Sequence, residues 1–532
     1  MKLQDSVKMT VYTLGKPEIN CLKMNPFYIM PGISPQTHID YLKDLFNAAF
    51  SFYGPMPYIL EKCLHNIYEN KGWDLTLGYH PYIMNTKNQY DFFDNSHMKQ
   101  QYSIPAHRFL FPTMEDLKIE VERYIEKEMD YEGEVAGNIK TAIKARLESL
   151  TTGAKGYMFN TTEYVDMEKL LNGNVVLELE GLADDADKAF CVGLLVIFIS
   201  EYRHVAKELS GPERLGLEHI LVIEEAHRLL KNVETGRTSE NMGNPIGKAV
   251  EHFTNMIAEM RAYGQGVIIA EQIPTKLAPD VIKNSSNKII HRIVSADDQH
   301  VIANTIGIRE EDGIYLGQMN TGLALCHKEG MHLPMRVQIH PTEDCYVSDG
   351  MLYERKIEDR FRDVNLSMMK NLLADDFRLY RVKLFNSLML DEEIAIESIR
   401  KVKRIFQAKL KQKMFTPLMM QEVNELVSLL LRDYLTSHLM HGVYSIEQIL
   451  PTELYEKLYE VLRYEQVSAL RELQEELKEL YGEATSSFVI YYVSEQLKRE
   501  DIKKIDVLKS IKAQFIIVDE QTVNAIHARV RG

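Results

Sequence analysis

The sequence has little cysteine: Cys21, Cys63, Cys191, Cys326 and Cys345 are the only five in 532 residues. None falls in a CxxC spacing. That excludes a zinc ribbon and a disulfide-framed secreted domain, and reads as reduced thiols of a cytoplasmic chain. Long hydrophobic runs are missing too. The most apolar stretch, Cys191 to Ser200, is ten residues long, where a bilayer span needs about 20. The start, MKLQDSVKMT, lacks the apolar core of a secretory leader. No membrane is expected as a partner. Positive charge is short as well. Lys+Arg total 62 against 77 for Asp+Glu, a net charge of -15. This excludes a generally basic, nucleic-acid-coating surface, but leaves room for a basic channel formed between several copies.

What is present fits a globular chain of two to four domains, with 45% hydrophobic and 26% charged residues. Residues 8–14 alternate as a strand and stop at Gly15, and Asn25-Pro26-Phe27 marks a turn. Helical spacing predicts a pair of helices from about Gln36 to Lys71, closed by Gly72-Trp73. Residues 75–110 read as loops. Residues 114–150 read as charged helix, broken near Gly133 and stopped at Gly153. VVLELE, from Val175, reads as a strand, and a long apolar helix buried on most sides is expected from about Ala183 to Leu209. Short apolar strands follow at 220–223, 266–274, 287–294, 322–326 and 335–339, with helices between the earlier ones. Such alternation predicts an α/β fold with a mainly parallel sheet covered on both faces.

This first domain spans residues 1–345, with a helical insertion at about 36–165. Residues 346–532 read as mainly α-helical, apart from a strand-like QFIIV at 514–518. Residues 391–413 open acidic and close with Arg400, Lys401, Lys403, Arg404, Lys409, Lys411 and Lys413. That run could touch nucleic acid, but acid-first, base-last order is what a helix dipole prefers, and the plainer reading is favoured. Residues 451–481 carry Val467, Leu470, Leu473, Leu477 and Leu480 at the spacing of a helix–helix seam.

The residues with chemical potential begin in HILVIEEAHRLL, His219 to Leu230, where Ile220 to Ile223 read as a strand buried on both faces. Glu224 and Glu225 follow where that strand would end, and AHRLL looks like a helix start. Ligands of open α/β sheets collect at the carboxyl ends of strands. One carboxylate there can reach Mg²⁺ through its water shell, and the other can polarise a water attacking a γ-phosphate. An acidic helix start explains the pair about as well on these residues alone. Arg261 ends the next predicted helix, close to the start of GVIIAEQIP, whose carboxyl end presents Glu271 and Gln272. A glutamine there can hydrogen-bond both a γ-phosphate oxygen and the attacking water. Arg292, in NKIIHRIV, adds a guanidinium that can grip phosphate bidentately. Singly, each has a mundane explanation. Their order on successive strands is harder to dismiss.

This order resembles the second half of HerA/FtsK-type ATPases, over about residues 8–340 and most densely at 219–294. The resemblance implies a RecA-like P-loop NTPase sheet using ATP and Mg²⁺. It implies Glu224 as the Mg²⁺-side Walker B residue, Glu225 as the catalytic carboxylate and Gln272 as the γ-phosphate sensor. Arg261 and Arg292 would complete the site, within a subunit or across a subunit boundary. It further implies a homo-oligomer, usually a hexameric ring, that moves double-stranded DNA in DNA processing or antiphage defence. Some members work beside a nuclease or another effector. The helical region after residue 350 has no counterpart in the resemblance.

One family feature is absent from the sequence, the GxxxxGK[ST] phosphate loop. The nearest string, Gly243-Asn244-Pro245-Ile246-Gly247-Lys248-Ala249, is one residue short between its glycines and lacks the hydroxyl. It also lies after the acidic pair, and reads as a loop entering a helix. Without the backbone N–H groups and lysine of that loop, ATP binding by this chain alone is expected to be weak or absent. The RecA-like sheet is then incomplete, with unpaired edges. Three explanations stay open: a reading frame truncated at an internal Met1, a split ATPase whose P-loop comes from a partner chain, or a degenerate scaffold. Retention of Glu225, Gln272 and Arg261 ranks the first two ahead. The leading expectation is an ATP-dependent motor subunit, a DNA translocase or helicase. Its rivals are a non-catalytic scaffold and an ATPase that gates an effector without moving DNA.

Overall fold

Met9–Thr13 forms a strand, β1, as its alternation predicts, in a computed structural model of the chain. The structure describes residues 9–50, 52–76, 78, 80, 105–127, 134–210, 216–233, 245–340, 357–413, 420–441, 452–481 and 515–516. These fall into two units, Met1–Ile67 with Thr113–Lys356, and Tyr68–Pro112 with Ile357–Gly532. The described chain is mostly helical, with three small sheets.

In the first unit β1 is followed by α1 (Pro35–Phe50), α2 (Met56–Asn70, of this unit as far as Ile67), α3 (Met114–Lys127), α4 (Glu134–Thr151), α5 (Gly153–Phe159) and α6 (Met167–Leu171). Then come β2 (Asn174–Glu178), α7 (Asp185–Leu209), β3 (His219–Glu224), α8 (Pro245–Met260) and β4 (Gln265–Ala270). The unit continues with α9 (Pro279–Asn284), β5 (Asn287–Ile290), α10 (Ala296–Ile306), α11 (Tyr315–Gln318), β6 (Leu323–Lys328) and β7 (Met335–Gln338). The turn at Asn25 closes as expected: its Oδ1 accepts the Phe27 N–H at 2.9 Å.

The unit's core is built around α7. Asp184 caps it by accepting the Ala186 N–H at 2.9 Å, and Phe190, Leu194, Ile197 and Phe198 are buried along it. This helix is longer than its ten-residue apolar heart. By length and composition it could cross a membrane, yet most of it is buried in this unit, as a core helix is. Gly193 is where α7 meets its neighbours. A Cβ added there would lie 2.4 Å from Leu45 and 3.1 Å from Leu229.

The strands do not form one continuous sheet. β1 pairs parallel with β2 and β3 parallel with β4, whereas β5, β6 and β7 form an antiparallel sheet. The predicted parallel order therefore holds only within the two pairs. Burial on both faces fails for β3. Ile220 and Val222 are 48% and 56% exposed, and Ile268 on β4 is 52% exposed, because no described element covers that side. The Arg292 strand is also shorter than predicted, ending at Ile290.

The second unit contains α12 (Ile357–Leu388), α13 (Glu392–Lys413), α14 (Met420–His441), α15 (Thr452–Tyr464) and α16 (Val467–Tyr481). Ile399, Val402, Phe406 and Leu410 on α13 are buried at three-four spacing, as are Leu470, Leu473 and Leu477 on α16. The predicted helix over 451–481 is two helices, because Glu465 adopts φ +56° between them. Its carboxylate there accepts from Lys403 at 2.7 Å and Arg400 at 2.9 Å. The basic run of α13 is thus largely spoken for: Arg404 binds Glu397 and Lys409 binds Asp376. Trp73 is buried in this unit, its Nε1 donating to the Leu110 carbonyl at 2.9 Å. Most of the strand-like segment at 514–518, like most of the predicted loop region at 75–110, lies outside the described residues.

Candidate functional site

β3 and β4 run side by side with Glu224 opposite Ala270, so the chain leaves both strands at one edge. The two departing turns are laced together. Asn232 N–H donates to the Lys276 carbonyl at 2.6 Å, and Ala278 N–H to the Leu230 carbonyl at 2.9 Å. The Asn232 side chain adds a bond to the Thr275 carbonyl at 3.1 Å. AHRLL is therefore not the start of a long helix. Ala226–Arg228 makes a single 3-10 turn, held by these cross-links.

Three carboxylates stand at this edge, in three different states. Glu224 ends β3 exposed, and strand alternation sets it on the same open face as Ile220 and Val222. Glu225 has φ +52° and ψ +48°, a left-handed conformation that non-glycine residues rarely adopt. Its N–H donates to the Ala270 carbonyl at 3.0 Å, while its carboxylate accepts Arg228 Nε at 3.0 Å. Arg228 also pairs with Asp185 at the head of α7. Glu271 is the enclosed one, with its side chain 6% exposed. Its Oε2 accepts His227 Nδ1 at 2.7 Å and the His227 N–H at 3.3 Å. Its Oε1 accepts the N–H groups of Gln272 at 2.8 Å and Ile273 at 3.2 Å. Burial pushes this carboxyl up, but the His227 side chain and the backbone donors more than offset that and hold it below the usual carboxylate range.

Gln272 is exposed beside Glu271. Arg292 is exposed two residues past the end of β5. Its neighbourhood is tied to the same edge through the head of α10. Asp298 Oδ1 accepts the Thr275 N–H at 2.9 Å, and Gln299 Nε2 donates to the Ile293 carbonyl at 2.8 Å. Arg261 sits elsewhere. It lies in the 3-10 turn Arg261–Tyr263 that precedes β4, exposed, at the amino end of the strand. The six residues of β4 separate it from Gln272, a length of about 20 Å. The edge therefore gathers Glu224, Glu225 and Gln272, with Arg292 approaching it, and leaves Arg261 at the opposite end.

Among the described residues no group of three or more His, Cys, Asp or Glu is placed to hold a metal. Glu224 is the exposed carboxylate of this edge, where a side chain can touch a cation through the ion's water shell. The sequence reading missed His227, whose only signal was its place three residues after Glu224, and it gave Glu271 no separate role.

No protein-family model matches the chain. Curated proteins are similar to part of it. The DNA double-strand break repair helicase HerA of Sulfurisphaera tokodaii is 27% identical over 222 residues, covering 41% of this chain and 40% of that protein. The protein of the same name from Sulfolobus acidocaldarius is 25% identical over 259 residues, covering 44% of this chain and 50% of its own length. The chain thus spans half or less of the length of these relatives. Among solved structures, VirB4 of Thermoanaerobacter pseudethanolicus aligns with a TM-score of 0.41 and 16% identity, over 63% of this chain and 77% of that one.

Proposed function

Taking its HerA/FtsK-type ATPase relationship as the premise, we propose that this chain carries the hydrolysing edge of an ATP-driven motor subunit. A separate strand–loop–helix segment, in cis or from a partner chain, would supply the phosphate loop. The observation that supports this most is the open side of β3–β4. Ile220, Val222 and Ile268 are about half exposed there, on the face that ends at Glu224. Among the described strands β4 pairs with β3 alone. A parallel strand laid beside β4, with its helix over that face, would pair the edge and bury the three side chains. That burial is worth about 3 kcal/mol. A GxxxxGK[ST] loop at the carboxyl end of such a strand would bring its N–H groups to the phosphates beside Glu224, Glu225 and Gln272.

Bound Mg²⁺ would neutralise charge developing on the phosphate oxygens. Glu224 would hold that ion through water. Glu225, exchanging its bond to Arg228 for one to water, would take the proton of the attacking water. Gln272 would orient that water, and Arg292 would steady the γ-phosphate. The distance from Arg261 to this edge suits it to the site of a neighbouring copy, which favours a ring, hexameric by resemblance. Double-stranded DNA is the proposed track, with a nuclease or other effector as a further partner.

The test supplies the P-loop segment by fusion or co-expression and measures Mg²⁺-dependent ATP hydrolysis. Hydrolysis should appear and be abolished by Glu225→Gln. Turnover indifferent to that substitution sinks the assignment. DNA stimulation that disappears at high salt separates a motor from an ATPase that only gates an effector. A scaffold would show neither hydrolysis nor a nucleotide-dependent change in oligomer size.

A further inference from the structure

We infer that His227 and Glu271 are positioning residues that lock the β3 and β4 turns together, and so fix the separation between Glu225 and Gln272. The kinetic part of this inference rests on the proposed ATPase reading; the lock itself does not. Glu271 follows directly on β4, while His227 lies three residues past β3, and neither strand ladder includes them. The Glu271 carboxylate has four donors, two on each oxygen. That uses the acceptor capacity of a carboxylate, so Glu271 has none left for a water or a metal-bound ligand. It cannot serve as a general base. Two of its donors belong to the turn that carries Glu225, and the other two to Gln272 and Ile273.

The consequence is mechanical. The Gln272 N–H is pinned at 2.8 Å to the same carboxylate that holds His227 Nδ1 at 2.7 Å. Gln272 and the Glu225 turn thereby share one enclosed carboxylate, a side-chain link added to the backbone bonds from Glu225 to Ala270, Asn232 to Lys276 and Ala278 to Leu230. A displacement of about 1 Å at a reacting centre can cost 10²-fold in rate. A lock of this kind affects turnover without touching the substrate.

The test uses the full chain and hydrogen exchange read at individual amides. Glu271→Ala should speed exchange at Gln272 and Ile273 by at least tenfold and leave Ile223 and Ile269, in the strand ladder, unchanged. No change at 272 and 273, or an equal rise along both strands, overturns the lock. In the P-loop-completed protein, His227→Ala should lower kcat at least tenfold with KM for ATP unchanged. His227→Asn keeps a donor near the Nδ1 position and should recover most of that loss. A kcat unaffected by His227→Ala overturns the positioning role. Absence of hydrolysis in the unsubstituted completed protein overturns the ATPase reading instead, and the exchange result then judges the lock by itself.

Discussion

His38 Nδ1 lies 2.7 Å from Glu201 Oε1, with both side chains fully enclosed in the first unit. The other ring nitrogen, Nε2, lies 2.9 Å from the Pro26 carbonyl. A carbonyl and a carboxylate both only accept, so the ring donates twice and carries a charge. Burial pushes the His38 pKa down, but Glu201 and the Pro26 carbonyl more than offset it and hold the ring above its ordinary value. The pair bolts α1 and α7 to the Asn25 turn. His38→Ala should cost about 3–5 kcal/mol, because it leaves a buried carboxylate without its counter-charge. Since the folded pKa is raised, the stabilisation is complete below about pH 6.5 and is lost as pH rises through the folded value. Urea midpoints should show a wider gap between the two proteins at about pH 6 than at about pH 9.

Glu271 has the opposite sign. Its folded pKa is depressed, so its contribution is present above about pH 4.5 and is lost as pH falls through the folded value. Glu271→Gln should be less stable than the parent near neutrality, with the difference shrinking in acid. Denaturant titrations across that range check this. A gap that is constant with pH contradicts it.

Gly193→Ala should destabilise by about 1–3 kcal/mol, although alanine is the better helix former. Its Cβ would come within 2.4 Å of Leu45 Cδ1 and 3.1 Å of Leu229 Cδ1, and Leu229 belongs to the turn that carries Glu225. Thermal denaturation measures the loss.

Glu225→Gly should leave stability unchanged or raise it by up to about 1 kcal/mol. Relief of the left-handed backbone, which costs about that much, offsets a half-exposed ion pair worth little. The same substitution should abolish hydrolysis in the completed protein. A clear fall in melting temperature would mean that the Arg228 contact outweighs the backbone strain.

Ile268→Thr should change the stability of the isolated chain by no more than about 0.5 kcal/mol, as its side chain is half in water. Ile223→Thr, on the covered face at 6% exposure, should cost several times more. If the open face receives a further segment, Ile268→Thr should weaken association of a co-expressed P-loop piece, read as a higher Kd.

Element type was largely legible in the chain. The apolar run of α7, the charge order of α13, the three-four apolar spacing of α16 and the glycines at helix ends are local signals, and they fix helices wherever a core exists to receive them. β3 and β4 were legible as strands for the same reason. Their exposure was not, since an apolar run states what a strand could bury and not whether anything covers it. The break at Glu465 was hidden because it depends on Lys403 and Arg400, some sixty residues earlier in sequence. The two glutamates after β3 and the glutamine after β4 stood out by order alone. The Glu271–His227 bond did not, because its partners lie 44 residues apart and only the parallel register brings them together.

The one tryptophan of the chain has a practical consequence. Trp73 is edge-on to Tyr68, in the last turn of α2, and beside Phe111, so its emission reports the packing around those two rings. The described residues around Glu225 and Gln272 contain no tryptophan. An unfolding curve read from tryptophan alone would follow that one local environment, and a second probe is needed beside Glu225 and Gln272.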